Sequence, residues 1–129
     1  MSNIEKLLEK ENFSKFNLDV FSDDKFEDEY LTPRENMSEI LSVSQNFIRN
    51  FKEDNGDNLL FYGTTGLGKT FMSNCIAKEL IDSNQIVVYQ TAFTILEILA
   101  DHRFRRGETE FNDFQYNQLF ECDLLIIDD

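Results

Sequence analysis

The sequence reads Gly63-Thr64-Thr65-Gly66-Leu67-Gly68-Lys69-Thr70 near its middle, and this stretch decides the fold. It fits the pattern G-x-x-x-x-G-K-[ST], in which a glycine-rich turn surrounds the phosphates of a nucleotide. Apolar residues precede it at positions 59–62, and a run with helical character follows at positions 71–80. Because a strand, a glycine loop and a helix in that order are the context of this motif, the stretch predicts a phosphate-binding loop.

Each part of the loop has a chemical task. Glycines adopt backbone angles that are closed to other residues, so the chain can wrap closely around an anion. Backbone N–H groups and the positive end of the following helix then stabilise the phosphate charge. Lys69 would reach the β- and γ-phosphates, and the Thr70 hydroxyl would bind Mg²⁺. The predicted nucleotide-contacting residues are Gly63, Thr64, Thr65, Gly66, Leu67, Gly68, Lys69, Thr70 and Phe71. A glycine turn without a ligand is the alternative, but all fixed positions and both flanks match the motif.

A second motif closes the sequence, where the apolar residues 124–127 are followed by Asp128 and Asp129. A buried parallel strand would deliver these acids at its carboxyl end, which is where ligands bind in such sheets. Asp128 would hold Mg²⁺, through water, and Asp129 stands where many ATPases place a Glu that orients the attacking water. Two acids after a strand are also typical of a solvated loop. Together with the phosphate loop, they favour a Walker B motif.

Composition narrows the class of protein. The chain has 129 residues, enough for one domain or a fragment of a larger one, and a formal charge of −13. No apolar run approaches the ~20 residues of a membrane helix, and the N-terminus lacks a signal-peptide pattern. We therefore expect a cytoplasmic protein with no membrane partner. Cys75 and Cys122 are far apart, which argues against a zinc site and indicates reduced, buried thiols.

Local patterns predict alternating strands and helices. Thr32, Pro33 and Glu35 are typical of a helix start, with a capping threonine and a capping box. Residues 12–30 are acidic and aromatic without a regular period, and we expect their aromatic side chains to pin the segment to the domain. The alternative is that some of these aromatic side chains line the base of the nucleotide. The predicted helices cover 1–11, 32–52, 69–83, 91–104 (stopped by Gly107) and 110–120; the predicted strands cover 58–62, 86–90 and 123–129. This alternation predicts an α/β fold, and the last strand should be parallel and covered on both faces.

Basic residues are scarce in the second half of the chain but three of them cluster. Arg103, Arg105 and Arg106 lie beside Phe104. Arginines next to an aromatic ring can grip phosphate and stack on a base, so the cluster is a candidate contact for single-stranded nucleic acid. The alternative is a solvated helix end, whose positive charges suit the helix dipole. His102 is assigned no role.

Residues 13–129 resemble the AAA+ bacterial replicative helicase loaders of the DnaC/DnaI type, which are related to the IstB-like transposition helpers. The stretches that carry the resemblance are 13–21, 32–37, 59–78 and 124–129. It implies a P-loop NTPase fold with a parallel sheet flanked by helices, ATP and Mg²⁺ as cofactors, and catalytic roles for Asp128 and Asp129. It also implies a replicative ring helicase and single-stranded DNA as partners, and a homo-oligomer formed through the ATP site.

The resemblance also predicts where the domain lies in the chain. Residues 1–31 would form an N-terminal helix and an acidic, aromatic linker, and residues 32–129 the N-terminal portion of an AAA+ domain. In the sheet of this family, the strand between the phosphate-loop strand and the Walker B strand comes later in the chain. We therefore expect the natural protein to continue beyond Asp129. We expect this chain alone to bind ATP but hardly to hydrolyse it, because a neighbouring subunit's arginine completes the site.

Three other readings remain at this point. An IstB-like transposition helper shares every motif that is visible here. A P-loop small-molecule kinase would need an acceptor pocket and an arginine-rich lid after the Walker B strand, whereas the arginines of this sequence precede that strand. A non-enzymatic module would use the ATP site as a timer and the acidic surface to dock a partner.

Overall fold

The computed structural model describes residues 3–26, 28–53, 56–63, 68–105 and 109–129. The chain divides into two compact units, Met1–Glu79 and Leu80–Asp129. The elements are α1 (Asn3–Lys10), α2 (Pro33–Arg49), α3 (Lys69–Asp82), β1 (Val87–Thr91), α4 (Ala92–Phe104), α5 (Thr109–Glu121) and β2 (Leu124–Asp128), with single 3₁₀ turns at Phe13–Lys15, Leu18–Val20 and Phe51–Glu53. Mixed helices and a small parallel sheet agree with the predicted α/β class. None of the described helices is both long and apolar enough to cross a membrane.

The start of α2 follows the predicted pattern. The Thr32 hydroxyl accepts a hydrogen bond from the Glu35 backbone N–H at 3.1 Å, and Pro33 occupies the first turn. A capping hydroxyl satisfies an N–H that has no partner inside the helix, and Pro lacks the N–H that would otherwise be left over. Met37 is buried on the inner side of the helix. The prediction of a helix that begins after Thr32 is confirmed.

The aromatic segment upstream of α2 is only partly pinned. The ring centroid of Phe16 lies 6.4 Å from that of Phe21 and 6.3 Å from that of Phe71, so these three rings form a packed row. Phe26 and Tyr30 are exposed instead. The expectation that the aromatics of this segment hold it to the domain is therefore wrong for Phe26 and Tyr30. Their neighbours in sequence are mostly acidic side chains, which keep this part of the chain in water.

Backbone and side-chain hydrogen bonds tie this segment to the start of α2. Arg34 donates from Nε to the Phe21 carbonyl at 3.2 Å and from its backbone N–H to the Ser22 carbonyl at 3.0 Å. The Thr32 hydroxyl donates to Asp23 Oδ1 at 3.0 Å while it caps the helix. Phe21 is thereby held beside the first turns of α2, a placement that matters for the pocket described below.

Helix α3 supplies most of the buried core of the first unit. Met72, Cys75, Ile76 and Ala77 are all buried. The side-chain amide of Asn74, which is also buried, donates to the Glu11 carboxylate at the end of α1. Burial and the nearby Glu11 charge raise the pKa of the Cys75 thiol to about 12, so the thiol stays protonated. Both cysteines are free; Cys75 is buried as predicted, whereas Cys122 is half-buried.

The predicted strand at 58–62 does not form. These residues carry no regular structure, and Leu60 and Tyr62 are 83% and 88% exposed. Residues 58–62 are apolar enough for a strand, but a strand exists only where a neighbouring strand accepts and donates its backbone hydrogen bonds. None of the described residues pairs with this segment, because the sheet contains β1 and β2 alone. The strand assignment before the phosphate loop is therefore wrong in this structure.

The second unit is built on two parallel strands. The register runs from Val87 opposite Leu124 to Thr91 opposite Asp128. Thr91 also caps α4 by accepting from the Thr94 N–H at 3.1 Å. Parallel pairing confirms the prediction for the last strand, but full burial of that strand is wrong, since Ile127 is exposed. A single neighbouring strand within the described residues leaves much of the surface of β2 uncovered.

Helices α4 and α5 are joined by a polar and aromatic cluster. The His102 ring stacks on Tyr116 with 3.6 Å between centroids and 6° between planes. Asp113 Oδ1 lies 3.1 Å from both His102 Nδ1 and Arg105 Nη1. Helix α4 ends at Phe104 because Arg105 adopts a left-handed backbone angle, with φ at 52°. Gly107, the predicted stop, lies outside the described residues. His102, to which the sequence assigned no role, thus links α4 to α5 through its contacts with Tyr116 and Asp113.

Candidate nucleotide-binding site

The backbone at both described ends of the glycine loop is left-handed. Gly63 has φ at 144° and Gly68 has φ at 95°. A Cβ at Gly68 would lie 3.9 Å from Met37 Cε and from Phe21 Cζ, which is ordinary van der Waals contact. The backbone angle, rather than lack of space, therefore requires glycine at this position. Thr64, Thr65, Gly66 and Leu67 lie outside the described residues.

Lys69 is the first residue of α3, and its side chain reaches back to Gly63. Its Nζ donates to the Gly63 carbonyl at 2.5 Å, so the two ends of the motif are bridged by the side chain that should meet a phosphate. The Met72 N–H already bonds the Gly68 carbonyl at 2.9 Å, which begins the helical ladder directly after the loop. The N-terminal turn of a helix carries N–H groups without intrahelical partners and a partial positive charge. The Lys69 ammonium and the backbone N–H groups of the first turn of α3 can thus bind one anion together.

A pocket of about 360 Å³ adjoins the loop inside the first unit. Its lining is mostly apolar and aromatic, with a few polar groups. The lining residues are Phe21, Pro33, Asn36, Met37, Ile40, Leu60, Phe61, Tyr62, Gly68, Lys69 and Met72. Small-molecule sites are concave, largely apolar and of about 300–1,000 Å³. The pocket is therefore a largely apolar space of suitable size for a small molecule, and Lys69 is one of its lining residues.

Thr70 and Phe71 occupy the first turn of α3 and face different surroundings. Thr70 is exposed, whereas Phe71 is half-buried and packs on Phe16. The Phe71 ring thus belongs to the aromatic row with Phe16 and Phe21. The sequence treated all nine loop positions alike, since the motif does not distinguish side-chain from backbone contacts.

Asp128 is the last residue of β2, and both of its carboxylate oxygens are engaged. Oδ2 accepts a hydrogen bond from the Tyr89 hydroxyl at 2.7 Å, and Oδ1 accepts one from the Asp129 backbone N–H at 2.9 Å. Asp129 follows the strand and is exposed. The contact of Tyr89 with Asp128 is not predictable from the sequence, because only the register of β1 against β2 shows which side chain reaches Asp128.

The arginine cluster is divided by the structure. The Arg103 Cζ lies 5.6 Å from the centroid of the Phe104 ring, and both side chains are exposed at the end of α4. Arg105 instead pairs with Asp113. Arg106 lies outside the described residues. Arg103 and Phe104 are therefore the members of the predicted cluster that the structure brings together on the surface.

The predicted metal ligands have the chemistry that Mg²⁺ prefers. A hydroxyl at Thr70 and a carboxylate at Asp128 are hard oxygen donors. Within the part of the chain that the structure describes, no group of three or more His, Cys, Asp or Glu side chains could hold a metal ion. Mg²⁺ commonly binds through one or two protein oxygens, several waters and the phosphates of its nucleotide, so each of these two donors, taken by itself, fits Mg²⁺ carried by a nucleotide.

Comparison with known proteins shows that the chain is similar to a bacterial ATPase domain. A family model described as the bacterial DnaA ATPase domain matches residues 24–129. The chromosomal replication initiator protein DnaA of Helicobacter hepaticus is 37% identical over 71 residues, which are 55% of this chain and 15% of that protein. The same-named proteins of Campylobacter concisus and Aliarcobacter butzleri are 32% and 34% identical over 71 residues, again 15% of their length.

The aligned part of the chain thus spans only about 15% of these curated relatives. No solved structure matches the chain. The family match covers most of the sequence, including the phosphate loop and the strand that ends at Asp128. The chain therefore belongs to the bacterial DnaA ATPase domain family, within the AAA+ ATPases.

Proposed function

We propose that this chain binds ATP with Mg²⁺ through residues Gly63 to Phe71 and acts in DNA replication as the ATP-binding part of a helicase loader. The observation that supports ATP binding most directly is Lys69. It stands at the start of α3, donates a hydrogen bond to the Gly63 carbonyl and borders an apolar pocket. On binding, the ammonium would exchange that carbonyl for phosphate oxygens, whose charge gives stronger hydrogen bonds.

Magnesium would neutralise phosphate charge when it is bound. Of this chain's residues, the Thr70 hydroxyl would contribute one oxygen to it and Asp128 would hold it through water. Asp129 would orient a water molecule for attack, with one methylene less reach than the Glu found at this position in many ATPases. A neighbouring subunit's arginine would stabilise the transferred charge, so rapid hydrolysis would require assembly into a homo-oligomer.

The apolar pocket beside the loop is the proposed site of the nucleotide base. Replacing Phe21 with alanine is expected to lower ATP affinity about tenfold, because a lost aromatic contact is worth about 0.5–1.5 kcal/mol beyond the apolar area it buries. Titration of a fluorescent ATP analogue measures the effect. Phe26→Ala is the matched control, since Phe26 lies in the same segment but is exposed. Equal effects of the two substitutions would contradict a base site at Phe21.

The helicase-loader role is supported by the resemblance to loaders and by membership of a replication family. Arg103 and the exposed Phe104 form the proposed contact for single-stranded DNA, and Arg105 and Arg106 follow them in the sequence. Guanidinium groups and aromatic rings bind such strands by charge and stacking. A replication role would place the protein in the cytoplasm.

Capture of a purified replicative ring helicase by the immobilised chain tests this role. We expect capture with ATP, little with ADP, and none for Lys69→Ala with ATP, because the loop would couple the bound nucleotide to the partner surface. Lys25→Ala is the matched control for removing one positive charge. Capture that is the same with and without nucleotide would contradict an ATP-dependent loader.

A second candidate is a replication initiator, and the match to the DnaA domain favours it. An initiator would assemble with ATP on chromosomal DNA without first requiring a helicase. Mobility shifts of duplex DNA with ATP and ADP would separate the two roles. Capture of a purified transposase by the immobilised chain would test whether the protein is a transposition helper instead.

A further inference from the structure

The strand register brings a tyrosine to the end of the Walker B strand. Tyr89 lies on β1 opposite Ile126, and Asp128 lies opposite Thr91. Tyr89 and Asp128 are therefore diagonal neighbours, two positions apart along adjacent strands and on the same face of the sheet. An aromatic side chain spans such a diagonal, and the Tyr89 hydroxyl donates to Asp128 Oδ2 at 2.7 Å. Both side chains are half-buried, which protects the bond from competing water.

Each of the two carboxylate oxygens of Asp128 thus has its own hydrogen-bond donor. Oδ1 accepts the Asp129 backbone N–H at 2.9 Å, while Oδ2 accepts the Tyr89 hydroxyl. The χ2 angle of an Asp side chain, which sets the rotation of its carboxylate, otherwise has a broad distribution. Two hydrogen bonds on different oxygens restrict that angle. A carboxylate oxygen has about two lone pairs, so accepting one hydrogen bond does not by itself prevent it from accepting another, such as one from a metal-bound water.

We propose that Tyr89 is a positioning residue, which holds the Asp128 carboxylate in the orientation required to receive Mg²⁺ with a nucleotide. This inference rests on the proposed ATP and Mg²⁺ site. Tyr89 itself would touch neither metal nor nucleotide and would act through Asp128 alone. Loss of a hydrogen bond that orients a metal ligand typically costs about 10–100-fold in metal affinity, and we expect the lower end for Asp128, which would reach Mg²⁺ through water.

The test compares nucleotide affinity with Mg²⁺ and with EDTA, so that the ratio isolates the metal's contribution. Tyr89→Phe keeps the ring and removes the hydroxyl. We expect the ratio to fall about tenfold while the affinity in EDTA is unchanged. Tyr30→Phe removes a hydroxyl from a side chain that is 95% exposed and should change neither value. A purely structural role would lower the affinity under both conditions alike and leave the ratio intact.

Asp128→Asn and the double substitution complete the cycle. Asp128→Asn should abolish the gain from Mg²⁺, and adding Tyr89→Phe should then cost nothing further, since Tyr89 acts through Asp128. A wild-type ratio retained in Tyr89→Phe, or a larger ratio, would overturn the positioning role alone. A wild-type chain that gains nothing from Mg²⁺ would overturn the proposed metal site as well.

Discussion

Replacing Lys69 with alanine is expected to lower the affinity of the chain for ATP by about a hundredfold or more. The loss follows from removing a charged partner of the phosphates, since hydrogen bonds to charged groups contribute about 1.5–3 kcal/mol each. The fold should survive, because the Lys69 ammonium is engaged with the Gly63 carbonyl and not with the core. Isothermal titration of ATP into both proteins measures the effect, and circular dichroism confirms that the helices remain.

Lys25→Ala is the control for Lys69→Ala. Lys25 is exposed in the acidic segment, so its removal lowers the net positive charge equally without touching the loop. We expect its ATP affinity to stay within about twofold of the wild-type value. If Lys69→Ala bound ATP as tightly as Lys25→Ala, the assignment of residues 63–70 as the phosphate site would be wrong.

Replacing Leu80 with alanine is expected to destabilise the chain by about 2–5 kcal/mol, because it deletes buried methyl groups and leaves a cavity. Leu80 is 2% exposed on α3. Leu60→Ala removes the same atoms from a side chain that is 83% exposed, and should change the free energy of unfolding by no more than about 0.5 kcal/mol. Unfolding in urea, followed by circular dichroism, measures both.

The pair of leucine substitutions also tests the missing strand. If residues 58–62 formed a buried strand, as their apolar pattern suggests, Leu60→Ala would cost about as much as Leu80→Ala. Similar losses at both positions would therefore contradict the exposed, unpaired segment found here.

Features encoded by neighbouring residues were predictable from the sequence. The capped start of α2 at Thr32, the helix that follows Lys69 and the helix at 91–104 each depend on a few adjacent side chains and appear in the structure. The sequence allows either Thr91 or Thr94 as the cap of α4, and the structure shows Thr91 in that position. The phosphate-loop prediction depends on the same kind of local signal, because its glycines and its lysine occur at fixed spacing. The left-handed angles at Gly63 and Gly68 agree with that reading.

Features that depend on distant residues were not predictable. The segment at 58–62 has the composition of a strand, yet pairing requires a partner that the apolar pattern does not reveal. The pocket beside Gly68 depends on hydrogen bonds from Arg34 to the Phe21 and Ser22 carbonyls. The contact of Tyr89 with Asp128 depends on strand register. In the candidate site, the loop was thus visible in the sequence, whereas its surroundings were not.

The family was predicted at its coarser level. The motifs indicated an AAA+ ATPase domain, and the match to the bacterial DnaA ATPase domain confirms that family. The distinction between a loader and an initiator depends on partner surfaces, and the phosphate and metal motifs carry no information about those surfaces. For this reason the helicase-loader role stays a proposal.

Amide and methyl chemical shifts of the labelled chain, recorded while ATP and Mg²⁺ are added, test the central claim most directly. A single saturable site should move the amides of Gly63, Gly68 and Lys69 and the methyl group of Met37, because the loop and the pocket would hold one nucleotide between them. Lys69→Ala should show none of these shifts under the same conditions. Unchanged loop amides at saturating ATP, or shifts centred elsewhere in the chain, would contradict nucleotide binding at this loop.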